Sequence, residues 1–168
     1  MAVHEVTPVE HRTLSVLVEN HAGVLSHVVG LFSARGFNID SLAVGETEDP
    51  TMSRITLVAT GDQKTMEQIK KQLNKLIDVI KVQDLSEEGF LDRELMLVKL
   101  KNTEASRRTL KALEAEHPIR IVEEDPKAIT VECVESRSNS KKLFEKFKQI
   151  GIVEIAQTGT VALSKKSG

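Results

Sequence analysis

The chain has 168 residues, of which 40% are hydrophobic and 29% charged, a size that allows one domain or two small ones. Its net charge at pH 7 is −2 and both halves are close to neutral, which argues against a nucleic-acid partner. It contains five Phe but neither Tyr nor Trp, so surfaces that stack bases on aromatic rings are not expected.

The first predicted elements are a strand over residues 12–19 and a helix over residues 23–35. Apolar and polar residues alternate in the strand, whereas apolar residues recur along one face of the helix. The remainder of this half is predicted to contain strands at 38–46 and 52–60, a helix at 63–75 and a strand at 78–85. This order, βαββαβ, is that of a ferredoxin-like unit.

The same order recurs from residue 90 onward. The predicted strands lie at 92–101, 119–125, 127–135 and 152–157, and the predicted helices at 103–117 and 138–149. We expect Gly36 to end the first helix in the left-handed conformation, Asp62 to cap the second, and Ser138 or Asn139 to cap the last. The sequence therefore predicts an α+β fold of two tandem ferredoxin-like domains, residues 1–86 and 87–168, joined near the polar segment Ser86–Gly89.

The turn between the first strand and the first helix contains Asn20 and Gly23. A strand that turns through glycine into a helix presents free backbone N–H groups, and these groups with the helix dipole favour an anion. The Asn20 amide offers a donor and an acceptor beside them. Ordinary turn chemistry explains the same residues. If a ligand binds there, an amino acid fits, because it carries both a carboxylate and an ammonium group.

No catalytic or metal-binding motif is recognisable in the sequence. It contains no nucleophile elbow, no Walker loop and no dinucleotide-binding fingerprint. The five His residues form no H-x-x-x-H pair, so we expect none of them to bind a metal. His27, one turn after Gly23, is an additional candidate to line the turn, although a solvated position is favoured. The sequence predicts a sensor without catalytic residues.

The single cysteine and the N-terminal residues indicate in which cellular compartment the protein is expected. Cys133 shares a predicted strand face with Ile129 and Val131, which favours a small core residue. A lone cysteine forms no internal disulfide and fits a reducing compartment. Residues 1–8 show no signal-peptide pattern, and no segment approaches the roughly 20 apolar residues that span a bilayer. We therefore expect a cytoplasmic protein that does not contact a membrane.

Six segments closely resemble the regulatory, or small, subunit of acetolactate synthase, also called acetohydroxyacid synthase. They are Leu14–Ser26, Gly30–Leu42, Asp49–Leu57, Gln72–Val82, Arg93–Lys99 and Ile155–Leu163. The resemblance implies that residues 1–86 form an ACT domain, a module that binds amino acids, and that residues 87–168 form a distinct ferredoxin-like domain. One departure is Gln157, which stands where many members of the family have Arg.

The resemblance further implies a regulatory chain that associates with a separate catalytic subunit. That partner would use thiamine diphosphate, Mg²⁺ and usually FAD, so no cofactor is expected in this chain. The small subunit would activate the partner, and a branched-chain amino acid, most often valine, would reverse the activation. Two ACT domains would meet in a homodimer, with the effector held by Asn20, Gly23 and Val24 of one protomer and by Asn38 of the other. The main alternative is a stand-alone, amino-acid-binding ACT regulator that acts on a different partner.

Overall fold

The computed structural model describes residues 10–166, which form two βαββαβ units. The first unit consists of β1 (Glu10–Glu19), α1 (Val24–Ala34), β2 (Asn38–Glu46), β3 (Met52–Gly61), α2 (Gln63–Leu73) and β4 (Val79–Asp84), followed by the helical turn α3 (Leu85–Glu88). The second consists of β5 (Phe90–Lys101), α4 (Glu104–Glu114), β6 (Ile119–Glu124), β7 (Ala128–Glu135), α5 (Arg137–Ile150) and β8 (Ile152–Gln157), followed by β9 (Val161–Ser164). The predicted fold class is confirmed.

The first unit is a four-stranded antiparallel sheet in the order β2-β3-β1-β4. The alternation in β1 puts Leu14 and Val16 in the core, where they form one buried cluster with Val28 and Phe32 of α1. Burial of each such side chain contributes about 1.5–3 kcal/mol. Because β1 and β3 are central, the strands that present an edge within this sheet are β2 and β4.

The second unit has the strand order β6-β7-β5-β8, and β9 also pairs with β5. Its core contains Val98, Val131 and Phe147, all fully buried. Cys133 belongs to the same core at 1% exposure, and this burial raises the pKa of its thiol to about 11. Cys133 is therefore a protonated core residue at neutral pH, as the strand pattern predicts.

Contacts divide the chain into two compact units. Among the described residues, one comprises residues 10–90 together with 162–166, which include most of β9, and the other comprises Leu91–Val161. The predicted junction is a helical turn: Leu85 is 1% exposed, and the Thr13 N–H donates to Ser86 Oγ at 2.9 Å. The assignment of separate roles to residues 1–86 and 87–168 stays a prediction. Within the described residues, no helix is both long and apolar enough to cross a membrane.

Two of the three predicted helix boundaries are confirmed. Asp62 caps α2 by accepting a hydrogen bond from the Thr65 N–H at 2.7 Å, and Gly36 has φ +66 after the end of α1. The prediction for the last helix is wrong. The cap of α5 is Ser136, whose Oγ accepts from the Asn139 N–H at 3.4 Å. The reason is that β7 ends at Glu135, so the extended residue that starts the helix comes earlier than the sequence pattern suggests.

A buried ion pair fixes the start of α5 to β5. Glu94 is 3% exposed, and its Oε1 accepts hydrogen bonds from Arg137 Nη1 at 3.0 Å and Thr160 Oγ1 at 2.5 Å. Removing one member of a buried pair leaves the other charge uncompensated, at a cost of about 3–5 kcal/mol. Because the Arg137 side chain is 20% exposed, water offsets part of this cost.

We expect Glu94→Gln to lower the free energy of unfolding by about 2–3 kcal/mol, measured by urea denaturation. The matched control is Glu132→Gln, which removes a more exposed pair with Arg120 Nη2 at 2.8 Å. This control substitution should lower the free energy of unfolding by less than about 1 kcal/mol. Equal losses in the two variants would contradict the importance of the buried pair.

Candidate functional site

The candidate effector loop, residues Asn20–Val24, connects β1 to α1. Gly23 is the residue that precedes the helix, and it has φ +95 and ψ −19. Because L side chains rarely adopt this left-handed conformation, the backbone alone favours glycine here. Apart from its two neighbours in the chain, no atom of residues 10–166 lies within 4 Å of the position that a Cβ at Gly23 would take. The space over the loop is therefore open to a ligand.

The first turn of α1 has N–H groups without internal acceptors. The Val24 N–H makes a long contact of 3.4 Å to the His21 carbonyl, and the first regular helical bond joins the His27 N–H to the Gly23 carbonyl at 3.0 Å. Within residues 10–166, no group accepts a hydrogen bond from the N–H of Leu25 or Ser26. No side chain in the described part of the chain caps this helix either. The exposed N–H groups and the helix dipole favour a negatively charged group.

Asn20 forms hydrogen bonds to the hairpin between β2 and β3. Its Nδ2 donates to Glu46 Oε1 at 3.0 Å and to the Pro50 carbonyl at 2.9 Å, and its backbone N–H donates to the Thr51 carbonyl at 2.7 Å. The donors of this side chain are thus used within the chain. Its Oδ1 accepts no hydrogen bond from the described residues, so it can accept one from a ligand ammonium group.

The second unit repeats this arrangement at Asn102, the residue that follows β5. Asn102 Nδ2 donates to the Asp125 carbonyl at 2.5 Å and lies 3.4 Å from Glu124 Oε1, again in the turn between the second and third strands. The two sites differ at Oδ1, which in Asn102 accepts from Arg107 Nε at 2.9 Å. The recurrence gives Asn20 a structural role that does not require a ligand.

Asn38 lies far from the effector loop of its own chain. In the sheet register, Asn38 is opposite Thr60, whereas Glu19, the residue before the loop, is opposite Met52. The separation of eight residue steps between these two positions of β3 corresponds to about 26 Å at roughly 3.3 Å per residue. The Asn38 Nδ2 donates instead to Asp40 Oδ1 at 2.6 Å. The structure therefore brings Asn20, Gly23 and Val24 together and leaves Asn38 at the opposite end of the sheet.

A carboxylate that no local sequence motif marks lies beside the candidate effector loop. Asp78, whose side chain is 10% exposed, accepts from His27 Nδ1 at 2.8 Å and from His21 Nε2 at 3.1 Å. His21 Nε2 also lies 3.3 Å from Glu19 Oε2. The His27 ring is 59% exposed, so it is largely solvated, as predicted, and also makes a hydrogen bond to Asp78.

Hydrogen bonds in this group shift the pKa of Asp78 and the pKa of His21. The hydrogen bond from His27 is the largest of the effects that hold the pKa of Asp78 below its usual value. The pKa of His21 is raised, first by the hydrogen bond of its Nδ1 to the Ala22 carbonyl at 3.1 Å. Since both ring nitrogens of His21 face oxygen acceptors, the protonated form is favoured.

The antiparallel pairing of β4 with β1 places Asp78 beside the candidate effector loop, and this pairing could have been inferred from the predicted topology. Because β4 runs antiparallel to β1 with Val79 opposite Val18, the residue before Val79 must lie beside the end of β1. The Glu19 N–H indeed donates to the Asp78 carbonyl at 2.9 Å. The predicted strand began one residue too early, at 78, and the observed strand begins at Val79.

Family models match both units of the chain. The model described as the AHAS small subunit-like ACT domain matches residues 14–81. The model described as the small subunit of acetolactate synthase matches residues 93–166. The predicted resemblance thus holds for the second unit as well as the first.

Individual relatives span nearly the whole chain. The acetolactate synthase isozyme 3 small subunit of Salmonella typhimurium is 41% identical, with coverage of 92% of this chain and 95% of the relative. The acetolactate synthase small subunit of Mycobacterium bovis is 45% identical, with coverage of 91% of each chain. The crystal structure of the acetolactate synthase small subunit from Thermotoga maritima has 34% identity and a TM-score of 0.83, and the match covers 95% of this chain and 99% of that one.

Proposed function

This chain belongs to the acetolactate synthase small-subunit family, and we propose that it activates a separate catalytic subunit and makes it sensitive to a branched-chain amino acid. Valine is the proposed effector. Thiamine diphosphate, Mg²⁺ and FAD belong to the catalytic partner in this proposal, and the complex works in the cytoplasm. Family matches in both units favour this function over a stand-alone ACT regulator.

The open first turn of α1 is the observation that carries the proposal. The ligand carboxylate would bind the N–H groups around Gly23 and Val24, and Asn20 Oδ1 would accept from the ligand ammonium. Val24 contributes its N–H alone, since its side chain is 3% exposed. The long contact of that N–H to the His21 carbonyl is weak enough to be exchanged for a charged acceptor.

The position of Asn38 supports a homodimer in which each site is shared. β2 is an edge strand, and an edge strand can pair with a second copy. Antiparallel pairing of two β2 strands would bring the start of one beside the end of the other. The end of β2 is where Glu46 contacts Asn20, so Asn38 of a second copy would approach the effector loop. A ligand held by both protomers favours the dimer by the difference in its affinity for the two states.

The sensing role requires only modest affinity. Binding in the micromolar to millimolar range corresponds to about 4–8 kcal/mol, which a few charge-assisted hydrogen bonds and a small apolar niche supply. Discrimination between valine and leucine is limited, because one methylene is worth about 1–3 kcal/mol. We propose that residues 1–86 provide sensing and dimerisation, and that residues 87–168 contact the catalytic subunit or tune its activation.

Calorimetry with the full-length chain tests the effector site. Valine, leucine and isoleucine are titrated beside two valine analogues, valinamide, which lacks the carboxylate, and isovalerate, which lacks the ammonium group. We expect valine to bind and each analogue to bind at least 10-fold more weakly, because each removes one charged contact. A dimer that binds none of the three amino acids, or binds valinamide as well as valine, would contradict the proposed site.

A further inference from the structure

We propose that Glu19, His21 and Asp78 form a binding site for a divalent transition-metal ion of the Zn²⁺ type, in which His27 positions the Asp78 carboxylate. His21 belongs to the candidate effector loop, and the proposed metal site requires neither the amino-acid effector nor the catalytic subunit to be bound. It extends beyond the expectation from the sequence that no metal ligand is present.

The separations between the candidate ligand atoms suit a small metal ion. His21 Nε2 lies 3.3 Å from Glu19 Oε2 and 3.1 Å from Asp78 Oδ1, and all three ligand atoms lie within 4.8 Å of one another. In a tetrahedral zinc site with bonds of about 2.0–2.2 Å, neighbouring ligand atoms are roughly 3.3–3.6 Å apart. The two distances from His21 Nε2 therefore need changes of only a few tenths of an ångström to admit the ion, and rotation of the exposed Glu19 side chain can adjust the third separation.

The donor set selects the class of metal. One imidazole with two carboxylates favours Zn²⁺ and its first-row neighbours, whereas Mg²⁺ and Ca²⁺ prefer oxygen ligands alone. The two carboxylates balance the charge of a divalent ion. Three protein ligands leave a fourth position for water, as in zinc sites that remain open.

The surrounding contacts already orient the three ligands. His21 Nδ1 faces the Ala22 carbonyl at 3.1 Å, which keeps the proton on Nδ1 and leaves Nε2 to bind a metal. Asp78 Oδ2 accepts from His27 Nδ1 at 2.8 Å, which leaves Oδ1 for the metal. The backbone bond between Glu19 and Asp78 holds the two carboxylate-bearing segments together. Without metal, a proton on His21 Nε2 occupies the position between the carboxylates, so the metal replaces this proton.

Cobalt(II) titration of untagged, chelator-treated full-length protein tests the site. Tetrahedral Co²⁺ gives a visible absorption band, and equilibrium dialysis gives the stoichiometry. We expect one Co²⁺ per chain, displaced by Zn²⁺ but not by Mg²⁺. His21→Ala should weaken Zn²⁺ binding by at least 100-fold, and His27→Ala by about 10-fold, the effect of losing an outer partner.

The matched controls are His11→Ala and His4→Ala. His11 pairs with Asp40 at the opposite end of β1, and His4 lies outside the described residues. Both variants should bind Zn²⁺ as the unmodified chain does. Absence of Co²⁺ or Zn²⁺ binding would overturn the proposal, as would His21→Ala protein that is folded by circular dichroism and retains the affinity of the unmodified chain. His21 is exposed, so this variant is expected to fold.

Discussion

Gly23→Asp is expected to abolish the response to valine while activation of the catalytic subunit is largely retained. The new carboxylate would lie beside the N–H groups of the α1 first turn and compete for them with the carboxylate of valine. Two carboxylates about 5 Å apart repel each other by roughly 3 kcal/mol at an effective dielectric constant of 20, which is about a 100-fold loss of affinity. Inhibition curves of the reconstituted enzyme measure the effect.

Gly23→Asn is the matched control, because Asn has nearly the size of Asp without its charge and tolerates φ +95 at least as well. We expect this variant to lose less than 10-fold in valine sensitivity. Equal losses in the Asp and Asn variants would assign the effect to the backbone. Unchanged inhibition of the Asp variant would contradict the placement of the effector carboxylate.

Asn20→Ala and Asn38→Ala are each expected to weaken valine binding by about 1–3 kcal/mol, because each removes a polar partner from a largely desolvated ligand. Asn20 also hydrogen-bonds to the hairpin between β2 and β3, so part of the effect of Asn20→Ala on valine affinity is expected to be structural. Asn102→Ala removes the equivalent hairpin contact from the second unit and should leave valine affinity unchanged. Calorimetry on the three variants separates the two effects.

Mixing the two single variants tests whether the site spans the dimer. In a heterodimer of Asn20→Ala and Asn38→Ala chains, a shared arrangement produces one doubly altered site and one intact site. After random subunit exchange, about one quarter of all sites should therefore bind valine with full affinity, since the ligand recognises only intact sites at that strength. Uniformly weak binding after verified exchange would contradict the assignment of Asn38 to the second protomer.

The fold could be predicted from the sequence because the local residue patterns agree with the long-range packing of the strands and helices. Alternation in β1 matches its burial, and the apolar stripes of the helices match the faces that pack on the sheets. Asp62 and Gly36 were recognisable because capping depends on one residue and its nearest neighbours. The cap of α5 was not, because Ser136, Ser138 and Asn139 all have suitable side chains and only the end of β7 selects among them.

The local turn of the candidate effector loop could be predicted, but its surroundings could not. Asn20 and Gly23 belong to one local motif, whereas Asp78 lies 57 residues from His21 and meets it only through the pairing of β1 with β4. The hairpin contact of Asn20 likewise depends on a turn 30 residues away. Such contacts follow from register, and a shift of one residue in a predicted strand is enough to hide them.

Reconstitution with an acetolactate synthase catalytic subunit tests the central proposal most directly. The measurement is acetolactate formation by the catalytic subunit alone, with this chain, and with this chain and increasing valine. We predict that the chain raises the rate and that valine, at concentrations that bind it in calorimetry, lowers the rate toward that of the catalytic subunit alone. A rate that is unchanged by a folded chain shown to bind the catalytic subunit would contradict the proposed function.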